Sequence, residues 1–182
     1  MKKGTVYFFT GLAGAGKTTI GGLFYQRLKT QKNDLVLLDG DQLRRLSFNK
    51  SSGYTTEERR AGAFYNFEMC NMLADQGIDV VLCSISMYND ARAWAREHIE
   101  NYREIYIRTT WETLHHRDQK GLYSSGVKNV VGVDILCETP EHPDIVIDND
   151  GQETPEEIVT RLEALFCPSV EADGTTPTDS PR

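Results

Sequence analysis

The chain has 182 residues, 39% of them hydrophobic, which suits one α/β domain with a buried core and is short for two. Its 20 Lys+Arg against 27 Asp+Glu leave a formal net charge of −7, which argues against a broad nucleic-acid footprint and fits a local anion site. No apolar stretch is long enough to cross a bilayer, no signal peptide precedes the first strand, and Cys70, Cys83, Cys137 and Cys167 form neither a zinc set nor a disulfide framework. A cytoplasmic protein with reduced thiols and no membrane partner is expected.

Val6-Tyr7-Phe8-Phe9 reads as a buried strand and Thr19 to Leu28 as the helix after it. Between them, Gly11-Leu12-Ala13-Gly14-Ala15-Gly16-Lys17-Thr18 spells the whole Gly-x-x-x-x-Gly-Lys-Ser/Thr pattern of a phosphate-cradling loop. Each residue type answers a physical demand. The glycines let the backbone curl around a polyphosphate without β-carbon clashes, so successive N–H groups, those of Ala13 and Ala15 among them, point at the anion. The helix opening at Thr19 adds the positive end of its dipole. Lys17 supplies a mobile ammonium for the β- and γ-phosphates, and Thr18 offers a hydroxyl to magnesium. A glycine-rich turn that binds nothing is the bland alternative, and the strand–loop–helix context weighs against it.

The second strand, Leu35 to Leu38, ends in Asp39-Gly40-Asp41, two carboxylates one glycine apart. Beside a magnesium-triphosphate site one carboxylate can hold metal-bound water, as expected of Asp39, and another can accept a hydroxyl proton, as expected of Asp41. Asp41 is also placed to cap the helix that begins Gln42-Leu43-Arg44-Arg45. Helical spacing resumes from Thr56 to Gln76. Arg44 and Arg59-Arg60 are either clamps for a second anion, through guanidinium forks, or an ordinary solvated face.

The third strand, Asp79 to Cys83, ends in Ser84-Ile85-Ser86; a helix from Asn89 to Glu100, a strand from Glu104 to Arg108 and a helix from Trp111 to Asp118 follow. His115 and His116 lack partners for a metal role and read as surface residues. Gln119 to Pro143 is Gly-rich, polar and aperiodic, the mark of a lid or other functional loop. At its start, Arg117 is placed to reach the nucleotide and Lys120 to neutralise charge as the site closes, while Gly121 lets the chain turn and Leu122 and Tyr123 give the lid something apolar to pack. Ile145 to Ile147 is the last strand, Pro155 to Phe166 the last helix. The folded unit is read as residues 1–167 and the stretch 168–182 as a disordered tail of Pro, Ser, Thr, Asp and Gly. The alternation implies a mostly parallel sheet with helices on both faces. Its ligands belong at the carboxyl ends of the strands, near Gly11 to Thr18, Asp39 to Asp41 and Ser84 to Met87.

Taken together these residues resemble the adenylylsulfate kinase family. The matching pieces are the loop through Thr19, Leu38-Asp39-Gly40-Asp41 with Arg44, Gly53-Tyr54-Thr55 with Arg59, Ile85-Ser86, Arg117-Asp118-Gln119-Lys120-Gly121-Leu122-Tyr123, Gly132-Val133-Asp134 and Thr139-Pro140. The resemblance runs from about Gly4 to Leu165. The resemblance implies a single-domain P-loop kinase fold with a mostly parallel five-stranded sheet and a lid. It implies transfer of the γ-phosphoryl of ATP, with Mg2+, to the ribose 3′-hydroxyl of a small-molecule nucleotide acceptor. By position, Lys17, Thr18 and Thr19 would serve ATP with the rest of the loop, and Asp41 would meet the acceptor hydroxyl. Arg44 and Arg59 would hold the acceptor's anionic group, and Tyr54 would stack on its base. Ile85, Ser86, Met87, Lys120, Gly121, Leu122, Val130, Gly132 and Val133 would border it, with Ser86 close to the phosphates. Family members are often dimers, which brings a homodimer into view.

The departures fall on the acceptor. Gly62 stands where the family typically has Asn, Met87 replaces a proline, and Val130-Val131-Gly132-Val133-Asp134 replaces a segment whose aromatic residue stacks on adenine. Losing one face of a base stack costs about 1–3 kcal/mol. The combination resembles the branch of the family that includes the cytidine-diphosphoramidate kinases of capsule modification, with standard adenylylsulfate kinase of sulfate assimilation as the alternative. Two remoter readings stay open: a kinase of a sugar or shikimate-like alcohol, and a nucleotide-dependent binding module. Against a GTP switch, Asn49-Lys50 runs into Ser51-Ser52 rather than a guanine-reading Asn-Lys-x-Asp.

Overall fold

Five strands, β1 (Val6–Thr10), β2 (Leu35–Asp39), β3 (Asp79–Cys83), β4 (Tyr102–Arg108) and β5 (Ile145–Asp148), form one parallel sheet in the order β2-β3-β1-β4-β5. The helices of the described residues are α1 (Lys17–Lys29), α2 (Gly40–Leu46), α3 (Thr56–Asp75), α4 (Asn89–His98), α5 (Trp111–Arg117) and α6 (Pro155–Phe166). The computed structural model describes residues 2–46, 55–118, 121–124, 126 and 130–168. Tyr54, Lys120 and the tail from residue 169 onward, each given a part above, lie outside them.

The alternation of side chains along β1 explains the layering. Tyr7 and Phe9 face one side, where Phe24 and Leu28 of α1, Leu114 of α5 and Ile158 and Leu162 of α6 close over them. Val6 and Phe8 face the other, against Phe67 of α3 and Ala91 and Ala95 of α4. β3 repeats the pattern, with Val81 and Cys83 on the first face and Val80 and Leu82 on the second. A strand buried on both faces reads as a continuous apolar run, which is why Val6 to Phe9 shows no polar alternation. The Phe8–Phe67 pair meets edge to face with centroids 5.0 Å apart, an arrangement worth about 0.5–1.5 kcal/mol beyond its buried area. Capping boxes start α3 (Thr55 with Glu58) and α6 (Thr154 with Glu157), each satisfying two backbone donors that the first turn leaves over.

Several boundaries differ from the periodic reading. α1 starts at Lys17 rather than Thr19, because Gly16 is its cap in a left-handed conformation (φ 104°) and the polar first turn carries no apolar signal. β4 starts at Tyr102, which pairs with Val6. α4 ends at His98, since Ile99 is already extended. The short helix expected from Gln42 is the seven-residue α2, which starts at Gly40 and has no buried side chain to give it an apolar stripe. Among the described residues no helix is long and apolar enough to cross a membrane.

The order of strands fixes where a ligand can sit. The chain leaves β1 toward β2 on one side and leaves β3 toward β4 on the other, so a crevice opens at the carboxyl ends of β1 and β3.

Candidate active site

The loop after β1 is held by its carbonyls. Tyr123 donates its hydroxyl to Ala13 O at 2.7 Å, and Arg117 donates to Gly14 O at 3.3 Å and to Asn149 O at 2.8 Å. Asn149 donates to Ala15 O at 2.7 Å. Side chains from outside thus take the acceptors of the loop, while the Ala15 N–H, expected to point at the anion, donates to Leu12 O at 3.2 Å in this structure. Gly11 and Gly16 have no alternative. A β-carbon on Gly11 (φ 151°) would stand 2.3 Å from Ile107 O, and one on Gly16 would stand 2.5 Å from the Asn149 amide. Lys17 donates to Leu12 O at 2.8 Å. Gly14, Gly16, Lys17, Thr18, Thr19, Arg117 and Asn149 border a cavity of about 430 Å³.

Thr18 donates its hydroxyl to Asp39 Oδ2 at 2.9 Å, while Asp39 Oδ1 accepts the N–H groups of Asp41 and Gln42 at 2.9 and 3.2 Å. The cap of α2 is therefore Asp39, not Asp41; Asp41 occupies the exposed first turn, next to Gly40. This oxygen pair tests whether magnesium fits. A threonine hydroxyl backed by a carboxylate is the hard-oxygen set that magnesium takes beside nucleotide phosphates. No group of three or more His, Cys, Asp or Glu among the described residues offers another metal site.

A second cavity of about 620 Å³ opens between α2, α3 and the end of β3. Arg44 and Arg59 border it together, from different helices, as do Ser84, Ile85, Ser86 and Met87. Sequence reasoning passed over Tyr88 and Val131 on the same walls. Burial pushes the Tyr88 phenol up, while the charges of Arg59 and Arg44 pull it back, so both guanidinium groups act on this one wall. Gly62 borders the cavity with nothing within 4 Å of where its β-carbon would be. Of the five residues 130–134, only Val131 borders it. Val130 is buried, holding a turn through its carbonyl; Gly132 packs against Leu12 and Trp111; and Val133 is exposed. Val130, Gly132 and Val133, expected to border the acceptor, lie off this wall in the structure. Asp41, Gly121 and Leu122 border neither cavity.

Ser86 sits at a bend. Its φ of 32° is left-handed, a conformation that costs a non-glycine residue of order 1–3 kcal/mol, and the surroundings enforce it. Thr10 donates to Ile85 O at 2.5 Å, the Ser84 and Ser86 hydroxyls share a bond of 2.8 Å, and Arg92 donates to Ser86 O at 3.3 Å. Arg92 also donates to Glu138 O at 2.7 Å, and Glu138 N–H returns a bond to Met87 O at 3.2 Å. One buried guanidinium thus ties the serine bend to the segment that returns from Val131. Its charge is met by Glu104, 3.2 Å away and equally buried; burial pushes the Glu104 carboxyl up, while Arg92 and Arg96 pull it back. Sequence reasoning missed Arg92, Glu104 and Asn149. Only Asn149 carried a usable signal, since it follows directly on β5 at the carboxyl edge of the sheet.

Arg117, Asp118 and residues 121–124 are the described start of the expected lid. Asp118, also left-handed (φ 32°), accepts the N–H groups of Tyr123 and Ser124 and the Ser124 hydroxyl, and the Ser124 hydroxyl and the Tyr123 N–H hold its carboxyl below the usual range. This knot presents the Tyr123 hydroxyl to Ala13 O.

The adenylylsulphate kinase family model matches residues 3–148. The chain is 40% identical over 158 residues to a cytidine diphosphoramidate kinase of Campylobacter jejuni, covering 85% of this chain and 91% of that one. It is 37% identical over 149 residues to a probable adenylyl-sulfate kinase of Archaeoglobus fulgidus, covering 80% and 96%. Among solved structures, the Mycobacterium tuberculosis APS kinase CysC, in complex with AMPPNP and APS, matches with a TM-score of 0.80 at 26% identity, covering 91% of this chain and 98% of that one.

Proposed function

Because the chain belongs to the adenylylsulphate kinase family and is an ATP-dependent phosphotransferase, we propose that its acceptor is a nucleotide ribose 3′-hydroxyl, with a cytidine 5′-diphosphate derivative such as cytidine diphosphoramidate preferred over adenylylsulfate. The observation that carries this reading is the second cavity, which pairs Arg44 and Arg59 with a bare Gly62 and an aliphatic Val131. Two guanidinium forks suit a distal anionic group, and an aliphatic wall in place of a ring weakens the grip on a purine. The similarity to the Campylobacter enzyme points the same way. The similarity to the Archaeoglobus protein keeps adenylylsulfate as the second reading.

In this reading the loop amides and Lys17 hold the β- and γ-phosphates in line with the acceptor. Thr18 and Asp39 would hold Mg2+, which would supply charge neutralisation to the phosphate oxygens. Asp41 orients the ribose hydroxyl and takes its proton as the new P–O bond forms and the bond to ADP breaks. Ser86 lies beside the transferring group. Since Asp41 is exposed on α2, closure of the site must bring the acceptor hydroxyl to it and exclude water, and the part proposed for Lys120 is to neutralise charge in the closed site. Arg44, Arg59, Tyr54, Ile85 and Met87 hold the acceptor.

ATP consumption is to be measured with cytidine diphosphoramidate, adenylylsulfate, gluconate and shikimate, with phosphorus NMR locating the new phosphate. Cytidine diphosphoramidate should give the highest kcat/KM, with product on the 3′-oxygen. Faster turnover of adenylylsulfate overturns the preference, and turnover of only the base-free alcohols overturns the acceptor class.

A further inference from the structure

We infer that Asn66, on α3, reads the base of the acceptor nucleotide; the inference rests on the reading above and extends it to a residue with no other task in the fold. α3 turns two stripes toward different neighbours. Ala63, Phe67, Cys70 and Ala74 go into the core, Ala63 reaching the cavity as well, while Arg59, Gly62, Asn66 and Met69 border the acceptor cavity. These four recur at helical spacing, so they form one continuous wall.

The polar side chains around the cavity divide by chemistry. Arg44 and Arg59 carry the charge that an anionic group needs, and Glu58 is taken up in the capping box of α3. Ser84 and Ser86 bond each other at the end of β3. Tyr88 donates to Thr56 O at 3.4 Å, and Tyr65, which also borders the cavity, is turned largely to solvent. Asn66 is half-buried, and its amide has no hydrogen-bond partner among the described residues. An amide carries an acceptor and donors side by side in one plane, which matches the adjacent donor and acceptor on the Watson–Crick edge of cytosine or adenine.

The helix also serves as a ruler. At 1.5 Å per residue, Asn66 stands about 10 Å along the axis from Arg59. That distance is comparable with the reach from the 5′-anion of a nucleotide, across its ribose, to the base edge. Gly62 lies between them with open space where a side chain would project, so a ligand can lie flat against the helix. A guanidinium at one end, a bare residue in the middle and an amide at the other end reproduce the order anion, sugar, base.

The test is a cycle between protein and ligand. Asn66→Ala, a change that favours the helix, is assayed with whichever of cytidine diphosphoramidate and adenylylsulfate the wild type turns over. It is then assayed with methyl ribofuranoside 5-diphosphate, which has ribose and anion but no base. Asn66→Ala should raise the KM of the nucleotide about tenfold to a hundredfold and leave the KM of ATP and of the base-free acceptor unchanged. An equal loss on the base-free acceptor, or no loss on the nucleotide, overturns the assignment while the kinase reading stands. A wild type that phosphorylates no nucleotide removes the premise and the assignment together.

Discussion

The donor and acceptor sides of this molecule are built by different means. On the donor side an unbroken loop does the work through its backbone, and side chains from Tyr123, Arg117 and Asn149 lock its carbonyls from behind. Few substitutions there leave the geometry intact, because the conformation itself is the binding site. On the acceptor side α2, α3, the bend after β3 and Val131 contribute separate side chains to one wall each. Such a wall changes one residue at a time without disturbing the sheet. The contrast explains how one fold keeps its phosphoryl chemistry while its acceptor drifts.

The largest effect that the contrast predicts is on the donor side. Lys17→Ala should lower kcat by about three orders of magnitude with every acceptor and suppress ATP hydrolysis as well. The fold should survive, since Lys17 is not part of either core cluster. Steady-state assays and far-UV circular dichroism would check both, and near-wild-type turnover would sink the role given to the loop lysine. Asp41→Asn should cost about two orders of magnitude in transfer and little in ATP affinity, because the exposed carboxylate is assigned to the acceptor hydroxyl. A matching loss of ATP binding, measured by calorimetry, would move Asp41 to the donor side and blur the comparison.

Arg92→Lys should produce a smaller and more selective change. Lysine keeps the charge beside Glu104 but not the planar fork that reaches Ser86 O and Glu138 O together. The acceptor's KM should rise about tenfold, with the KM of ATP unchanged. Arg92→Met paired with Glu104→Gln removes both buried charges and should restore stability without restoring acceptor affinity. If both KM values rose together in Arg92→Lys, the guanidinium would merely be supporting the sheet.

The same contrast governs what could be read from the sequence. Strand alternation and the loop motif are local, so the parallel sheet and the residues from Gly11 to Thr19 were legible before any coordinates. Asp39 and Asp41 were visible as a pair, but which of them caps α2 depends on where that short, unburied helix begins. Val130, Gly132 and Val133 were expected at the acceptor because the segment was legible, whereas the direction of each side chain depends on a turn closed by Asp134. Arg92 and Glu104 were invisible for a plainer reason. A buried ion pair between a helix and the neighbouring strand looks, in sequence, like two ordinary surface charges.

Thiol labelling sharpens the comparison with the smallest effect. Cys83 lies beneath α1, its sulfur 3.5 Å from Lys17 O, and burial pushes its thiol up to about 12. Cys137 is only half-buried on the acceptor side, 3.2 Å from the sulfur of Met87 in the cavity wall; burial raises its thiol as well, but solvent reaches it. Alkylation runs through the thiolate, so below the thiol's own pKa its rate climbs roughly tenfold per pH unit where reagent has access. Iodoacetamide followed by peptide mass spectrometry should label Cys137 at a rate that rises from pH 7 to pH 9. Cys83 should stay unmodified throughout, and an acceptor nucleotide should slow Cys137 more than ATP alone does. Labelling of Cys83 at the pace of Cys137 would mean that α1 lifts off the sheet as readily as the acceptor wall moves, and the donor side would lose its claim to be the rigid half.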